Sequence, residues 1–253
     1  MGFGKVSNDS KLFMRLLRLA FKRETAMPML ALTFASAASV LLVVTRVIST
    51  GNLRYSFLIW NLFLAWLPLV FALLACERFQ TASARNWRFL SLAGAWLLFF
   101  PNAPYIFTDL IHLTTRFYGH FWVDLTLILL CALTGLVLGF VSLYLMQSVV
   151  ERMFGRAASW AFIAVVAALS GFAIYLGRFM RFNSWDALFR PVQLYRGIGN
   201  WVAEPVANLS SLAFPVMFAV FLFITYLMLY ALTHLQPACS LTLPQQTEEA
   251  GLA

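Results

Sequence analysis

Along this chain, long charge-free apolar runs alternate with short polar clusters. The runs are Thr25–Thr45, Tyr55–Cys76, Phe89–Thr108, Leu125–Val150, Ala157–Gly177 and Pro205–Thr233, each at least 20 residues long. A helix needs about 20 apolar residues to cross a hydrocarbon core of roughly 30 Å. Lipid offers the backbone no hydrogen bonds, so only helices or closed barrels can cross it. Barrel strands alternate polar and apolar positions, and these runs do not. The pattern predicts an all-α, polytopic membrane bundle of six transmembrane helices, with short interfacial helices between them.

Two polar motifs interrupt the runs. In PNAPYIFTDLIHL, residues 101–113, Pro101 and Pro104 bracket Asn102 and Ala103. Each proline removes a helix donor and crowds the preceding turn, which predicts a break in the third span. Asn102 is the residue expected to satisfy backbone groups freed there. Beyond the break, Tyr105, Asp109, His112 and Arg116 recur at helical spacing and predict one polar stripe. The second motif is GRFMRFNSWD, residues 177–186. It places Arg178 and Arg181 at the end of the fifth span, with Asn183 positioned to cap a following helix and Asp186 in its first turn. Downstream, Trp185, Phe189, Val192, Tyr195 and Trp201 mixed with charges predict an interfacial segment at headgroup depth.

Composition agrees with this class. The chain is 62% hydrophobic and 11% charged, where a soluble domain is about 25% charged. The net charge of +8 belongs to residues flanking spans, which points to the membrane surface and not to nucleic acid. Eleven of the 18 Lys and Arg fall on the side of the chain termini and seven on the other. The positive-inside bias therefore predicts both termini in the cytoplasm, as in an inner-membrane protein. Residues 1–24 form a basic arm in which Lys11, Arg15, Arg18 and Lys22 line one helical stripe, suited to anionic lipids. Residues 25–235 form the membrane domain, and 236–253 are expected to be a disordered cytoplasmic tail. Gly135 and Gly139 make a small-residue pair expected to pack helices closely within one molecule, and Ser170-Gly171 do likewise.

The polar residues are expected to converge. Asp109, His112 and Asp124 are predicted to face Arg178 and Arg181 at the non-cytoplasmic face. An intramembrane charge is tolerated when it meets a partner or a ligand. Arg can hold a carboxylate, or a phosphate, through two parallel hydrogen bonds. A divalent cation would need three or four ligands, and an Asp-x-x-His pair alone does not provide them. The three cysteines, Cys76, Cys131 and Cys239, have no metal-ligand spacing, and no metal or cofactor is expected.

PNAPYIFTDLIHL, Phe121-Trp122-Val123-Asp124, Tyr175-Leu176-Gly177-Arg178-Phe179 and Asn183-Ser184-Trp185-Asp186 together resemble the bacterial membrane-protein family called domain of unknown function 1361. The similarity runs over about residues 60–235. It implies a bacterial multi-pass protein whose functional or structural core comprises Asn102, Tyr105, Asp109, His112, Asp124, Arg178 and Asn183. It implies no particular activity.

Three functions fit. A scaffold, or an assembly partner of envelope machinery, needs only that the polar motifs be structural, and is the leading expectation. A transporter would use the proline-broken span as its binding site. A membrane enzyme acting on lipid or envelope phosphates would use His112 as general base, oriented by Asp109 or Asp124, with Arg178 and Arg181 holding the phosphate; Asn102, Tyr105 and Asn183 would complete its binding surface.

Overall fold

The computed structural model describes residues 26–81, 86–113, 121–182, 184–203 and 209–234. The basic arm, the C-terminal tail, Arg116 and Asn183 lie outside the described residues.

Six helices are long and apolar enough to cross a membrane. The first is α1, Ala26–Thr50, followed after a single 3-10 turn at Leu53–Tyr55 by α2, Phe57–Thr81. The third span is composite: α3, Trp87–Phe99, then the single turn α4, Asn102–Tyr105, then a 3-10 helix at Ile106–His112. The fourth and fifth are α5, Phe121–Phe154, and α6, Arg156–Phe179. Two short helices follow, α7 at Asp186–Phe189 and α8 at Pro191–Ala203, before the last span, α9, Leu209–Thr233. No strand occurs among the described residues. The chain is a multi-pass, all-helical membrane protein.

Connections are short where sequence chemistry makes them so. Asn52 and Asn86 accept from the backbone N–H of Arg54 and Arg88 and so start the next elements. A single residue joins α5 to α6. That residue, Gly155, has φ 87°, a region L side chains avoid. The two helices can therefore reverse direction in one step.

α5 is the centre of the bundle. Of its most apolar stretch 61% is buried inside the protein, against 22–39% for the other spans. It packs against α1, α2, α6 and the end of the third span, while α9 leans on α6. Two apolar clusters flank it. One joins α2 and α3 to α6 and α9 through Trp96, Phe100, Phe140, Ile163, Phe218 and Tyr226. The other joins α1 and α2 to α5 through Val43, Leu58, Leu69, Leu127 and Ile128.

The glycines on α5 seat the broken span. A Cβ at Gly135 would lie 2.9 Å from the Ala103 carbonyl oxygen, and one at Gly139 would lie 3.0 Å from the Ala103 Cβ. Neither leaves room for a side chain, so α4 rests directly on the α5 backbone. This is close packing within one molecule. Gly171 plays the same part where α6 meets the backbone of α9 at Pro215 and Ala219.

Candidate functional site

The first, third and fifth spans finish at one end of the bundle, and the second and fourth begin there. Asn102, Tyr105, Asp109, His112, Asp124, Arg178 and Arg181 are therefore delivered to that end, on neighbouring elements. The local break in the third span decides how.

Pro101 and Pro104 have no N–H, so the regular ladder fails at Phe99–Pro101. Ala103 N–H is re-paired at shorter range, to the Phe100 carbonyl at 3.1 Å, and Tyr105 N–H resumes the α-helical pattern with the Pro101 carbonyl at 3.0 Å. Asn102 is not the residue that repairs the break. Its Nδ2 donates instead to Ser184 Oγ at 3.0 Å, tying the break to the loop after α6. Past Tyr105 the chain tightens into a 3-10 helix, in which residues three apart eclipse. Asp109 and His112 thereby share one face, turned towards α6.

Arg178, in the last turn of α6, closes the arrangement. Its Nη2 donates to Asp109 Oδ1 at 2.7 Å and to Thr108 Oγ1 at 2.6 Å, and its Nε also donates to Thr108 Oγ1, at 3.1 Å. Its Nη1 lies 3.3 Å from His112 Nε2. A guanidinium only donates, so a hydrogen bond between the two uses His112 Nε2 as the acceptor. The other carboxylate oxygen, Asp109 Oδ2, takes a hydrogen bond from Asn61 Nδ2 of α2 at 2.8 Å. The guanidinium carbon stands 4.9 Å from the centre of the Tyr105 ring, within cation–π range. The Tyr105 ring fits because Gly177 has no side chain there. The Asp109 side chain is 2% exposed and Arg178 14%, while His112 is 43% exposed. Three spans, α2, the third and α6, are thus pinned at one charge-assisted node.

Two predicted members stand elsewhere. Asp124 does not face Arg178 or Arg181. It receives Arg46 Nε at 2.5 Å and Nη2 at 3.2 Å, and Tyr55 Oη at 3.0 Å. The physical reason is adjacency: α1 ends where α5 begins, so Arg46 in the last turns of one meets Asp124 in the first turn of the other. This forms a second node binding α1, the 3-10 turn before α2 and α5. Asp109, His112 and Asp124 therefore do not gather around one cation. Arg181 is exposed, with φ 60°, at the point where the chain leaves α6, and is not part of the Arg178 cluster. Asp186, the first residue of α7, is buried; the helix is preceded by Trp185 and has no side-chain cap.

A cavity of about 410 Å³ lies beside the first node. Phe57, Trp60 and Asn61 of α2, Asn102 and Tyr105 of the break, and Trp185 of the loop after α6 contribute to its wall. Asp109, His112 and Arg178 form its polar end. Leu64, Leu98 and Ala173 lie about one helical turn deeper along their spans and make the other end apolar. Arg54 donates to the His112 carbonyl at 3.3 Å, and its guanidinium carbon lies 5.7 Å from the Tyr55 ring centre.

Several of these partners carry a weak sequence signal. Asn61 is the one Asn inside the α2 apolar run, and that isolation is what could have marked it. Arg46 sits in the last turns of the first span, as Asp124 sits in the first turn of the fourth. Thr108, as an uncharged hydroxyl at the edge of a span, offered nothing to single it out.

No curated protein and no solved structure matches the chain. A family model, described as protein of unknown function (DUF1361), matches residues 60–230. That stretch contains the broken span, both carboxylates of the two nodes and Arg178, and the chain belongs to this DUF1361 family.

Proposed function

We propose that the protein is a non-catalytic scaffold of the bacterial inner membrane, with both termini in the cytoplasm. Its outward end is held by the two ion-pair nodes, and the cavity between α2 and α6 receives an amphiphile from the surrounding membrane. One observation carries this reading: Asp109 accepts from Arg178 and Asn61, and Arg178 donates to Asp109, Thr108 and His112. Charges satisfied within the protein hold spans together, and truncating one partner of such a pair leaves the other buried and uncompensated. The excess of Lys and Arg on the side of the termini supports the orientation. The basic arm would add contact with anionic lipids on the cytoplasmic leaflet.

The competing readings fit these contacts less well. A general base needs a lone pair, and the His112 Nε2 lone pair takes the Arg178 N–H. A transporter would keep its broken span against a water-filled path. Here Asn102 and Tyr105 face the cavity, but Ala103 is seated on the backbone at Gly135 and Gly139, and the cavity turns apolar at Leu64, Leu98 and Ala173.

Extraction in polymer-bounded lipid discs, without detergent, followed by lipid mass spectrometry, tests the proposal. Wild type should carry an amphiphile enriched over the bulk membrane. Ala173→Phe, which fills the deep end of the cavity without touching either node, should lose the enrichment while unfolding at an unchanged temperature. An identical lipid profile for both proteins would contradict it.

A further inference from the structure

The chemistry of the cavity wall narrows what it can hold. Asp109 and Arg178 are the charged groups of opposite sign that line it, and they neutralise each other at 2.7 Å. A phosphate entering the cavity would have to compete with Asp109 for the guanidinium and would place a second anion beside a buried carboxylate. Like charges brought together away from water are strongly unfavourable. Electrostatics therefore disfavour an anionic head.

What else the wall offers is uncharged. Asn61 and Asn102 use their amide N–H groups on Asp109 and Ser184, and each also carries an amide oxygen. Trp60 and Trp185 add indole N–H donors, Tyr105 a phenol and Ser184 a hydroxyl. These are interleaved with aromatic rings, whose electron-rich faces attract the electropositive edge of a partner. Donors, acceptors and ring faces in one small space suit a head that presents hydroxyls on its rim and C–H bonds on its faces. The volume of about 410 Å³ falls in the range of small-molecule sites, about 300–1,000 Å³.

The other end explains the tail. Leu64, Leu98, Ala173 and Ile174 carry the cavity into the apolar depth of the spans. Trp60 stands at its edge, 54% exposed, as expected of an aromatic ring at the level of the headgroups. An occupant can thus keep its head at the node and its chain in the lipid.

We infer that the cavity binds the uncharged sugar head of a membrane glycolipid, with the head between Trp60, Tyr105 and Trp185 and the tail leaving past Leu64 and Leu98. This rests on the reading of the cavity as an amphiphile site. The test is photolabelling of the protein in phosphatidylcholine nanodiscs with a diazirine-bearing octyl glucoside. Octyl glucoside, octyl phosphate and free glucose serve as competitors below micellar concentrations.

Adducts should map to the α2 and α6 segments that line the cavity. Octyl glucoside should displace them at a concentration at least about 10-fold below octyl phosphate, and glucose should displace them poorly. Trp60→Ala should weaken competition by about 2- to 10-fold, the range expected for loss of an aromatic platform, and Trp60→Phe should restore most of it. Equal or better competition by octyl phosphate would overturn the sugar assignment and leave the amphiphile site standing. Competition by glucose as strong as by octyl glucoside would overturn the role of the tail. Labelling spread over the lipid-facing surface, with no competition by any of the three, would overturn the site itself.

Discussion

Asp109 and Arg178 are 69 positions apart in the chain, and their side chains meet at 2.7 Å. That contact joins a span broken by two prolines to the last turn of α6, and Asn61 brings in α2 from the other side. An end of the bundle that would otherwise consist of loose helix termini is held at a buried node. The cavity lies beside this node, walled by α2, the broken span and the end of α6.

The two nodes should behave as separate units. Asp124→Asn weakens the contacts to Arg46 and Tyr55 but touches nothing that Asp109 touches directly. We expect Asp124→Asn and Asp109→Asn each to destabilise the protein, and the double variant to show the sum within about 0.5 kcal/mol, as sites with no shared partner do. Tyr55→Phe alone should cost about 1.5 kcal/mol, the low end for one hydrogen bond to a charged acceptor. Reversible unfolding in mixed micelles measures all four proteins. A strong departure from additivity would show one merged network.

The seat of the broken span makes an opposite prediction for two glycines. A Cβ at Gly135 would lie 2.8 Å from Ile106 Cδ1 as well as close to Ala103 O, whereas one at Gly94 meets nothing within 4 Å. Gly135→Ala should therefore destabilise by about 1–3 kcal/mol through overpacking. Gly94→Ala should be neutral or stabilising, because alanine is the better helix former by about 1 kcal/mol. Comparable unfolding of the two variants would refute the close approach of α4 to α5.

A polar contact deep between α5 and α9 gives a third prediction. Tyr226 Oη donates to Gln147 Oε1 at 2.5 Å, and Gln147 Nε2 is buried without a partner among the described residues. Tyr226→Phe should cost about 1–3 kcal/mol, since it leaves both ends of the Gln147 amide unsatisfied. Replacing both residues, Gln147→Met with Tyr226→Phe, should recover that loss, because neither buried polar group remains. A double variant less stable than Tyr226→Phe alone would show that the amide has a further partner.

Much of the architecture was legible in the residues. Charge-free runs mark spans because lipid penalises charge, so Ala26–Thr50 or Arg156–Phe179 could be placed to within a few residues. The break could be placed too, because a missing N–H at Pro101 and Pro104 is local chemistry. Pairing was not legible. Asp109, Asp124, Arg46 and Arg178 all lie at one end of the bundle, and which carboxylate meets which guanidinium depends on which helix ends adjoin. That is set by packing around α5. The helical spacing of Tyr105, Asp109 and His112 also assumed an α-helix. Between Ile106 and His112 the chain is 3-10, which groups Asp109 with His112 and turns Tyr105 to stack on Arg178 instead. Asn102 looked like a repair for its own helix, and its reach to Ser184 could be seen only once the loop after α6 was folded over it.

The most direct test of the account is a double-mutant cycle on Asp109 and Arg178, read as unfolding free energy in lipid-containing micelles. Asp109→Asn and Arg178→Gln should each cost about 3–5 kcal/mol, the penalty for leaving one member of a buried pair uncompensated. The double variant should be no less stable than the worse single, which corresponds to a coupling of at least about 3 kcal/mol. Additive losses, or a single variant more stable than wild type, would contradict a structural clamp and show that one of these charges is held for a ligand.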